Sequence, residues 1–250
     1  MKRMVQASSY ISGELFHFVG RNHPTDHEKN YKILLKILKQ QCVSYPPHEP
    51  GWAKFQVFID SERSLFDEQL VVPTVTCYAD IPFGHLRIHC RKYGCFGLSF
   101  DRELLIKYGA RPVLYMPIFP SQGDHPQGSI FGRSLVVRIE ETYKALSRLG
   151  NPKPKETISH FHEPLETSEK IVTRTEEIFS RDFLAFVKVF NSELPTDHSE
   201  NYYAEREWRK YQNFVFQPNQ VCTIVVPSRF RKRLIKEFPQ YKNRIKQIKL

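Results

Sequence analysis

The chain mixes short runs with a two-residue hydrophobic period and longer runs with a helical period. Residues 14–20 are typical of a strand, because Leu15, His17 and Val19 fall on one face while phenylalanines fall on the other. A helix ending near residue 41 is predicted by apolar residues at i, i+3, i+4 and i+7: Tyr31, Leu34, Leu35 and Leu38. The chain therefore opens with a strand, a loop and a helix.

The rest of the chain continues this mixture. Further strands are predicted from apolar runs at 55–59, 71–79, 95–100, 112–117, 205–216 and 221–226. Helices are predicted within 81–89, 104–109, 135–149 and 168–190, with a Pro- and Gly-rich loop at 117–132. Short strands interrupted by helices favour an α+β fold. We expect a single domain of residues 1–250 with a basic helical extension at residues 229–250.

Composition is ordinary for a packed protein, since 40% of the 250 residues are apolar and 13% are aromatic. This content excludes an intrinsically disordered chain. No run approaches the roughly 18 apolar residues that span a bilayer, and the basic N-terminus lacks the apolar region of an export signal. Five scattered cysteines without a CxxC pair indicate a reducing compartment. We therefore expect a soluble, cytoplasmic protein with no membrane partner.

Positive charge is concentrated near the C-terminus. Most of the formal net charge of +10 lies in residues 229–250, which contain nine basic residues and one acidic residue. Phe230, Leu234 and Phe238 recur every four residues and predict an amphipathic helix that docks by its apolar face. The cations of this segment are either a solvated surface or contacts for nucleic acid, and the candidate contacts are Arg229, Arg231, Lys232, Arg233 and Lys236.

The most suggestive local pattern is the segment 202–209, Tyr-Tyr-Ala-Glu-Arg-Glu-Trp-Arg. In a strand, Glu205, Glu207 and Arg209 would share one face, with the two carboxylates about 7 Å apart. Two carboxylates beside a guanidinium can hold a sugar hydroxyl and stabilise an oxocarbenium ion, as cleavage of a glycosidic bond requires. In a helix, Glu205 and Arg209 would instead form an ordinary i,i+4 surface pair.

Two residues near the first strand are further candidates. His17 could donate a hydrogen bond to a ribose hydroxyl, or it could be a hydrogen-bonded residue of the core. Arg21 follows Gly20 in the next loop and could approach a pyrophosphate, or it could be an exposed surface cation. The sequence alone leaves these alternatives open.

Motifs for metals and common nucleotide folds are weak. One cluster contains zinc-ligand residue types: His85, His89, Cys90 and Cys95. No CxxC or HExxH pair accompanies it, so we expect no metal site, and His89 and Tyr93 would more simply face a pocket or pack. His160 and His162 lie in a predicted loop without an evident third ligand. The P-loop, Rossmann and α/β-hydrolase motifs are also missing from the sequence, which lowers the support for those classes.

Six segments and His89 occur in this order between residue 15 and about residue 226: Leu15-Phe16-His17-Phe18-Val19-Gly20-Arg21, Lys36-Ile37-Leu38, Cys77-Tyr78-Ala79-Asp80-Ile81-Pro82-Phe83, His89, Tyr93-Gly94-Cys95-Phe96-Gly97-Leu98-Ser99-Phe100, Ala110-Arg111-Pro112-Val113-Leu114-Tyr115 and Tyr203-Ala204-Glu205-Arg206-Glu207-Trp208-Arg209. Together they resemble the bacterial abortive-infection family AbiGi. The resemblance implies the antitoxin-like half of a two-gene phage-resistance system, with a nucleotidyltransferase-like toxin as the cognate partner.

Three positions, His17, Tyr93 and Glu207, are also similar to the His-Tyr-Glu class of ADP-ribosyltransferases, which includes DarT-like enzymes. This second resemblance implies an ADP-ribosyltransferase-like fold, in which small mixed or antiparallel sheets form a cleft and helices flank them. It also implies NAD as the cofactor. In that class the His holds the NAD ribose, the Tyr stacks on nicotinamide, and the Glu engages the ribose 2′-hydroxyl.

Some of these assignments have competitors within the same sequence. Tyr78 and Tyr115 are alternatives to Tyr93, and Glu205 is an alternative to Glu207. The catalytic residues implied by the resemblance are therefore His17, Tyr93 and Glu207, and the implied NAD contacts are His17, Arg21, Tyr93, Ser99 and Glu205.

Two functions remain in competition. The protein is either a phage-defence enzyme that transfers ADP-ribose from NAD to nucleic acid or protein, or a non-catalytic antitoxin or nucleic-acid-binding partner of a toxin. Geometry distinguishes them, because catalysis requires His17 and Glu207 to line one cleft within about 10 Å of each other, the reach of a bound nicotinamide riboside.

Overall fold

A computed structural model describes residues 12–45, 57–60, 62–67, 69–118, 127–149, 168–195, 198 and 201–248. The chain divides into two compact units, and the single domain of residues 1–250 stays a prediction. The first, here called the sheet unit, is drawn from residues 1–55, 74–113 and 202–250. The second unit is drawn from residues 56–73 and 114–201.

Strands within the described ranges are short. They are β1 (Glu14–Phe18), β2 (Cys42–Val43), β3 (Val57–Ile59), β4 (Val71–Pro73), β5 (Val75–Ala79), β6 (Gly97–Asp101), β7 (Arg111–Pro112), β8 (Leu114–Ile118), β9 (Val187–Asn191), β10 (Glu207–Tyr211), β11 (Phe214–Val215), β12 (Val221–Pro227) and β13 (Ile245–Ile248). The α-helices are α1 (His27–Gln40), α2 (Leu86–Tyr93), α3 (Arg102–Lys107), α4 (Gln127–Leu149), α5 (Ser168–Ile178) and α6 (Ser228–Glu237). None of the helices in the described part of the chain is long and apolar enough to cross a membrane.

The sheet unit is organised around one seven-stranded sheet with the strand order β13-β12-β6-β1-β5-β10-β7. β12 and β13 are parallel and the other pairs are antiparallel. Phe16 of β1 and Glu207 of β10 are both aligned with Ala79 of β5. Residues directly opposite each other in paired strands point to the same face, so Phe16, Ala79 and Glu207 form one row on one face of the sheet.

The first face of this sheet carries a large apolar core. Leu15 and Leu98 are fully buried on it, and α1 and α6 supply the residues that cover it: Tyr31, Leu34, Ile37, Phe230 and Leu234. The ring of Phe96 packs edge-on against Phe230, with their centroids 4.9 Å apart. Helix α1 begins after Asp26, whose carboxylate accepts a hydrogen bond from the Lys29 amide at 3.0 Å.

The second face carries a smaller apolar core beneath α2. Phe16 and Ala79 pack with Leu86 and Cys90 of that helix and with residues of β12 and β13. The close approach of β1 to the end of α2 depends on Gly20, because a Cβ at this position would lie 2.4 Å from the carbonyl oxygen of Tyr93. The C-terminal end of β1 and the C-terminal end of α2 therefore meet at this face.

The second unit contains the antiparallel pair β3–β4, the parallel pair β8–β9 and helices α4 and α5. Glu140 on α4 accepts hydrogen bonds from the Ser64 hydroxyl and the Leu65 amide, at 2.9 and 3.0 Å. Tyr143 on the same helix donates to Glu176 of α5 at 2.7 Å. These contacts fasten α4 to the segments beside it.

The mixture of strands and helices confirms the predicted α+β class, while the finer ADP-ribosyltransferase-like architecture stays a prediction. Two elements differ from their predictions. The apolar run at 168–190 is α-helical only to Ile178. It then forms a π-helical turn and a 3-10 turn before strand β9. The residues after Ile178 are rich in aromatic and β-branched side chains, which favour a strand. The predicted helical extension at 229–250 forms α6 and then returns as β13, where Ile245 and Ile248 are buried.

Candidate functional site

Charged side chains from three separate segments converge at the second face of the sheet. Here they are called the carboxylate cluster, which comprises Arg21 after β1, Lys92 and Tyr93 at the end of α2, Glu205 before β10, and Glu207 and Arg209 on β10. The structure therefore brings together four of the residues named from the sequence: Arg21, Tyr93, Glu205 and Glu207. More than 180 residues separate the first and last of these in the chain.

Both glutamates reach the cluster because the backbone turns between them. Glu205 ends a 3-10 turn and Glu207 begins β10, so the predicted strand starts two residues later than 205. Arg206 between them has φ 45° and ψ 52°, the left-handed conformation that is uncommon for a residue with a Cβ. The turn is held by Asp80, which accepts a hydrogen bond from the Arg206 guanidinium at 3.0 Å and donates its amide to the Arg206 carbonyl at 3.1 Å.

Each carboxylate of the cluster is neutralised by a cation of the chain. Oε1 of Glu205 accepts hydrogen bonds from Lys92 Nζ at 2.8 Å and from the Tyr93 hydroxyl at 2.5 Å. Oε1 of Glu207 accepts from Arg209 Nε at 2.9 Å. The glutamates are 6% and 8% exposed, so these ion pairs lie largely out of water.

Aromatic rings flank the buried ion pairs. His89 stacks on Tyr93 with a centroid distance of 4.5 Å and lies 4.8 Å from the ring of Phe18. The ammonium group of Lys92 lies 4.9 Å from the ring centroid of Tyr202. Burial and then the neighbouring Glu205 carboxylate raise the pKa of Tyr93 well above its usual value, so its hydroxyl is a hydrogen-bond donor at physiological pH.

Arg21 is the exposed member of the cluster. Burial of part of its side chain opposes its charge, but the pKa of Arg21 is raised overall by Tyr93, Cys77, Glu207 and Glu205. Within the described residues its guanidinium forms no hydrogen bond or ion pair. The cluster thus presents one cation with unused donors at its solvent side.

His17 does not join Glu207. It neighbours Phe16, which shares a row with Glu207, and successive side chains of a strand point to opposite faces. His17 is accordingly opposite Leu98 of the first face, its Nδ1 lies 2.9 Å from the Cys77 carbonyl oxygen, and it is 7% exposed. The register therefore does not support the single cleft that the sequence predicts for His17 and Glu207.

Ser99 and Tyr78 of the sheet unit also lie apart from the cluster. Ser99 is fully buried on β6, where its hydroxyl donates to Glu14 at 2.5 Å and accepts from the Thr223 amide at 3.0 Å. Tyr78, an alternative to Tyr93, is buried in the first-face core. Tyr115, the other alternative, is on β8 of the second unit. Within the sheet unit, the geometry favours Tyr93 over Tyr78.

The zinc-ligand residue types are scattered around α2. His85 is exposed just before the helix, whereas Cys90 and Cys95 are buried among apolar residues of the second face. No group of three possible metal ligands is found among the residues that the structure describes. His160 and His162 lie outside the described residues.

The predicted basic helix forms α6, with Phe230 and Leu234 buried. Arg229, Lys232 and Lys236 lie on its exposed side. Arg231 is half-buried. Arg233 is engaged within the fold, since its guanidinium bonds Glu28 at 3.0 Å, lies 3.5 Å from Glu237 and stacks 4.5 Å from the ring of Tyr31.

Lys92 is the cluster residue that sequence reasoning missed. It immediately precedes Tyr93 on α2, so the same helical turn that delivers the tyrosine also delivers its counter-ion. The basic residues at the end of α2 were the one signal in the sequence that could have indicated Lys92. Its acidic partner, Glu205, lies more than 110 residues away, and no local pattern reveals such a pair. Arg209 was visible from the sequence, because it follows Glu207 by two positions in a strand.

Comparison with known proteins identifies the family. The sequence profile described as "Putative abortive phage resistance protein AbiGi, antitoxin" matches residues 57–250, more than three quarters of the chain. No curated protein and no solved structure matches the chain. The matched region contains Tyr93, both glutamates of the cluster and α6, whereas His17 and Arg21 precede it. The resemblance found in the sequence is thus confirmed, and the chain belongs to the AbiGi family.

Proposed function

We propose that the protein is an antitoxin that protects its cell by forming a complex with a cognate toxin protein, without catalysing a reaction of its own. The family match over residues 57–250 carries this proposal, because the family is described as an antitoxin of abortive phage resistance. An antitoxin requires a toxin as partner. The two-gene arrangement that the resemblance implies supplies that partner.

The internal ion pairs of the carboxylate cluster are compatible with a binding role. Oε1 of Glu205 accepts hydrogen bonds from Lys92 and Tyr93, and Oε1 of Glu207 accepts one from Arg209. Complex formation with a protein elsewhere on the chain requires no rearrangement of these pairs.

The proposal is tested by expressing the full chain together with the toxin of the same two-gene system and measuring growth after toxin induction. The informative variant is the double substitution Glu207→Gln with Arg209→Gln, which removes the pair without leaving one charge behind. We expect the double variant to protect as well as the unmodified chain and to co-purify with the toxin.

The matched control is the thermal unfolding midpoint of the purified double variant, which separates loss of function from loss of the fold. A variant that keeps its midpoint and still co-purifies with the toxin but no longer protects would contradict a purely binding role. So would an unmodified chain that protects cells yet never co-purifies with the toxin.

We infer a second candidate, an NAD-dependent ADP-ribosyl transfer, from the exposed Arg21 beside Tyr93 and the two glutamates. Arg21 would contact the pyrophosphate, the ring of Tyr93 would contact the nicotinamide, and Glu207 would contact a ribose hydroxyl. NAD would supply the ADP-ribosyl group: a nucleophile of the acceptor nucleic acid or protein would attack the anomeric carbon of the ribose, and nicotinamide would leave with the electron pair of the broken N-glycosidic bond. His17 and Ser99 do not fit this arrangement, since one lies on the opposite face and the other is fully buried.

NAD binding to the purified chain tests the second candidate by isothermal titration calorimetry. Binding that is weakened at least tenfold by Arg21→Gln, and left unchanged by Arg87→Gln on the outer side of α2, would support it. A chain that shows no heat of binding at millimolar NAD would remove it, and that result would leave the antitoxin proposal intact.

A further inference from the structure

Helix α1 carries a stripe of lysines on its solvent side. Lys29, Lys32, Lys36 and Lys39 are spaced by three, four and three residues, which places them along one side of an α-helix. The buried residues of α1 lie on the opposite side: Asn30, Tyr31, Leu34, Ile37 and Leu38. Within the described residues, none of these four ammonium groups forms an ion pair.

Helix α6 repeats the pattern. Arg229, Lys232 and Lys236 are spaced by three and four residues, opposite the buried Phe230 and Leu234. These three side chains are exposed and form no ion pair with any described residue. The guanidinium of Arg229 lies 5.0 Å from the ring of Phe230, a contact that leaves its donors open to solvent.

The two stripes belong to one surface because α1 and α6 pack side by side. Tyr31 of α1 donates to Glu237 of α6 at 2.9 Å and packs 4.9 Å from the ring of Phe230. Arg233 of α6 pairs with both Glu28 and Glu237. Arg233 therefore pairs with the acidic residue of each helix. Six of the seven cations are exposed and Lys36 is half-buried, and none of the seven forms an ion pair with a described residue.

We propose that this surface, here called the two-helix basic face, binds the phosphate backbone of a nucleic-acid duplex. The inference goes beyond toxin neutralisation, and it extends the predicted contacts on α6 to four lysines of α1. Its residues are Lys29, Lys32, Lys36, Lys39, Arg229, Lys232 and Lys236.

The spacing of the charges matches a backbone. The stripe from Lys29 to Lys39 advances ten residues, about 15 Å at 1.5 Å per residue. One strand of B-DNA carries a phosphate about every 3.4 Å of axis, so the stripe spans about four of them. A second stripe on the neighbouring helix, about 8–10 Å away between the helix axes, is close enough to contact the opposite strand across a minor groove about 6 Å wide.

The composition of the face indicates backbone contact without base recognition. Tyr31 and Phe230 are both buried beneath the cations, so neither ring is available to stack on an unpaired base. The third ring, half-buried His27 at the start of α1, packs against Phe96 and Phe230 with centroid distances of 5.9 and 6.3 Å. Lysine is also the main residue type, and it acts as a point charge toward phosphate. A regular polyanion fits this set of donors, and binding should depend weakly on sequence and strongly on salt.

The experiment measures the binding of the full chain to a fluorescein-labelled 20-base-pair DNA duplex by fluorescence anisotropy between 50 and 200 mM NaCl. An RNA duplex and a single-stranded DNA of the same length are measured in parallel. With seven phosphate contacts, the affinity should fall about 1000-fold or more across this salt range. Both duplexes should bind more tightly than the single strand.

The variant Lys32→Gln/Lys36→Gln/Lys232→Gln removes three cations from the face. It should lower the slope of log affinity against log salt by about 2.7, since each phosphate contact contributes about 0.9. The matched control is Arg87→Gln/Arg91→Gln/Lys107→Gln, which removes three exposed cations from α2 and α3 and should leave most of the slope unchanged. Failure of the unmodified chain to bind either duplex at 50 mM NaCl, equal losses in both variants, or binding to anionic lipid vesicles or the toxin alone would overturn the proposal.

Discussion

The two faces of the central sheet bury different kinds of side chain. The first face is covered by α1 and α6 and buries large apolar rings, with Phe96 in edge-on contact with Phe230. The second face is covered by α2 over a smaller apolar core, and beside that core it buries ion pairs such as Glu207 with Arg209. Both faces belong to the same seven strands, so the contrast arises from side chains that alternate along each strand.

The difference assigns separate roles to the two faces. Apolar burial on the first face stabilises the fold by about 25 cal/mol for each Å² removed from water. A buried ion pair contributes little net stability, because the desolvation of both charges offsets their attraction. The charges of the second face therefore fix its geometry more than they stabilise the fold. The pair between Lys92 and Glu205 holds the end of α2 against the turn before β10.

The largest effect is expected from breaking the apolar face. Phe96→Ala should lower the free energy of unfolding by about 3–5 kcal/mol, because it removes a fully buried ring and leaves a cavity among Tyr31 and Phe230. Urea denaturation measures the change. Phe18→Ala, the same substitution at a half-buried position of the second face, is the matched control and should lose less than half as much. Equal losses would contradict the contrast.

The next effect comes from separating the Glu207–Arg209 pair. Glu207→Leu should lower the free energy of unfolding by about 2–4 kcal/mol, because it takes the Glu207 carboxylate away from the largely buried guanidinium of Arg209. The double variant Glu207→Leu/Arg209→Leu should recover most of this loss, since it removes both charges. A double variant as unstable as the single one would show that the pair stabilises the fold directly.

Alkaline pH should weaken both faces together. Burial raises the pKa values of Tyr31, Tyr78 and Tyr93 above the ordinary value of 10.0, so the folded state keeps these protons where the unfolded state loses them. Their stabilising contribution is complete below pH 10 and decreases as the pH rises above it. Urea midpoints measured from pH 8 to 11 should fall at the alkaline end, and the fall should be less steep in Tyr78→Phe. An unchanged midpoint at pH 11 would contradict this assignment.

The smallest effect is expected at the turn that joins the two glutamates. Arg206→Val should lower the free energy of unfolding by about 1–2 kcal/mol, because a β-branched residue disfavours the left-handed conformation. Arg206→Asn removes the same ion pair with Asp80 but tolerates this conformation, so it is the matched control and should lose less. If both variants lose the same amount, the ion pair and not the backbone conformation holds the turn.

Periodicity made the first face predictable. The i, i+3, i+4, i+7 pattern of α1 and the four-residue spacing of α6 located both covering helices, and both are confirmed. The helix predicted over 168–190 was wrong at its C-terminal end, where the chain forms β9. Apolar residues without a clear period fit a buried strand as well as a helix, and β9 is parallel to β8 and largely buried. Strand β13 was not predicted, because its two buried residues, Ile245 and Ile248, alternate in the sequence with basic and polar residues.

The second face was only partly predictable. Arg21, Tyr93, Glu205 and Glu207 could be named from residue type, and they do converge. The position of His17 depends on strand register, which a single-residue shift inverts, and the sequence does not determine it. The left-handed Arg206 carries no signal in its residue type, although it decides that both glutamates share one cluster.

We propose that this AbiGi chain neutralises its toxin by complex formation. Size-exclusion chromatography with light scattering on the purified chain and toxin, in the absence of NAD, tests it most directly, with intact-mass spectrometry on the same fractions. We expect a stoichiometric complex that contains toxin of unaltered mass. Free toxin that gains the mass of an ADP-ribosyl group when NAD is added, with no complex formed, would contradict it.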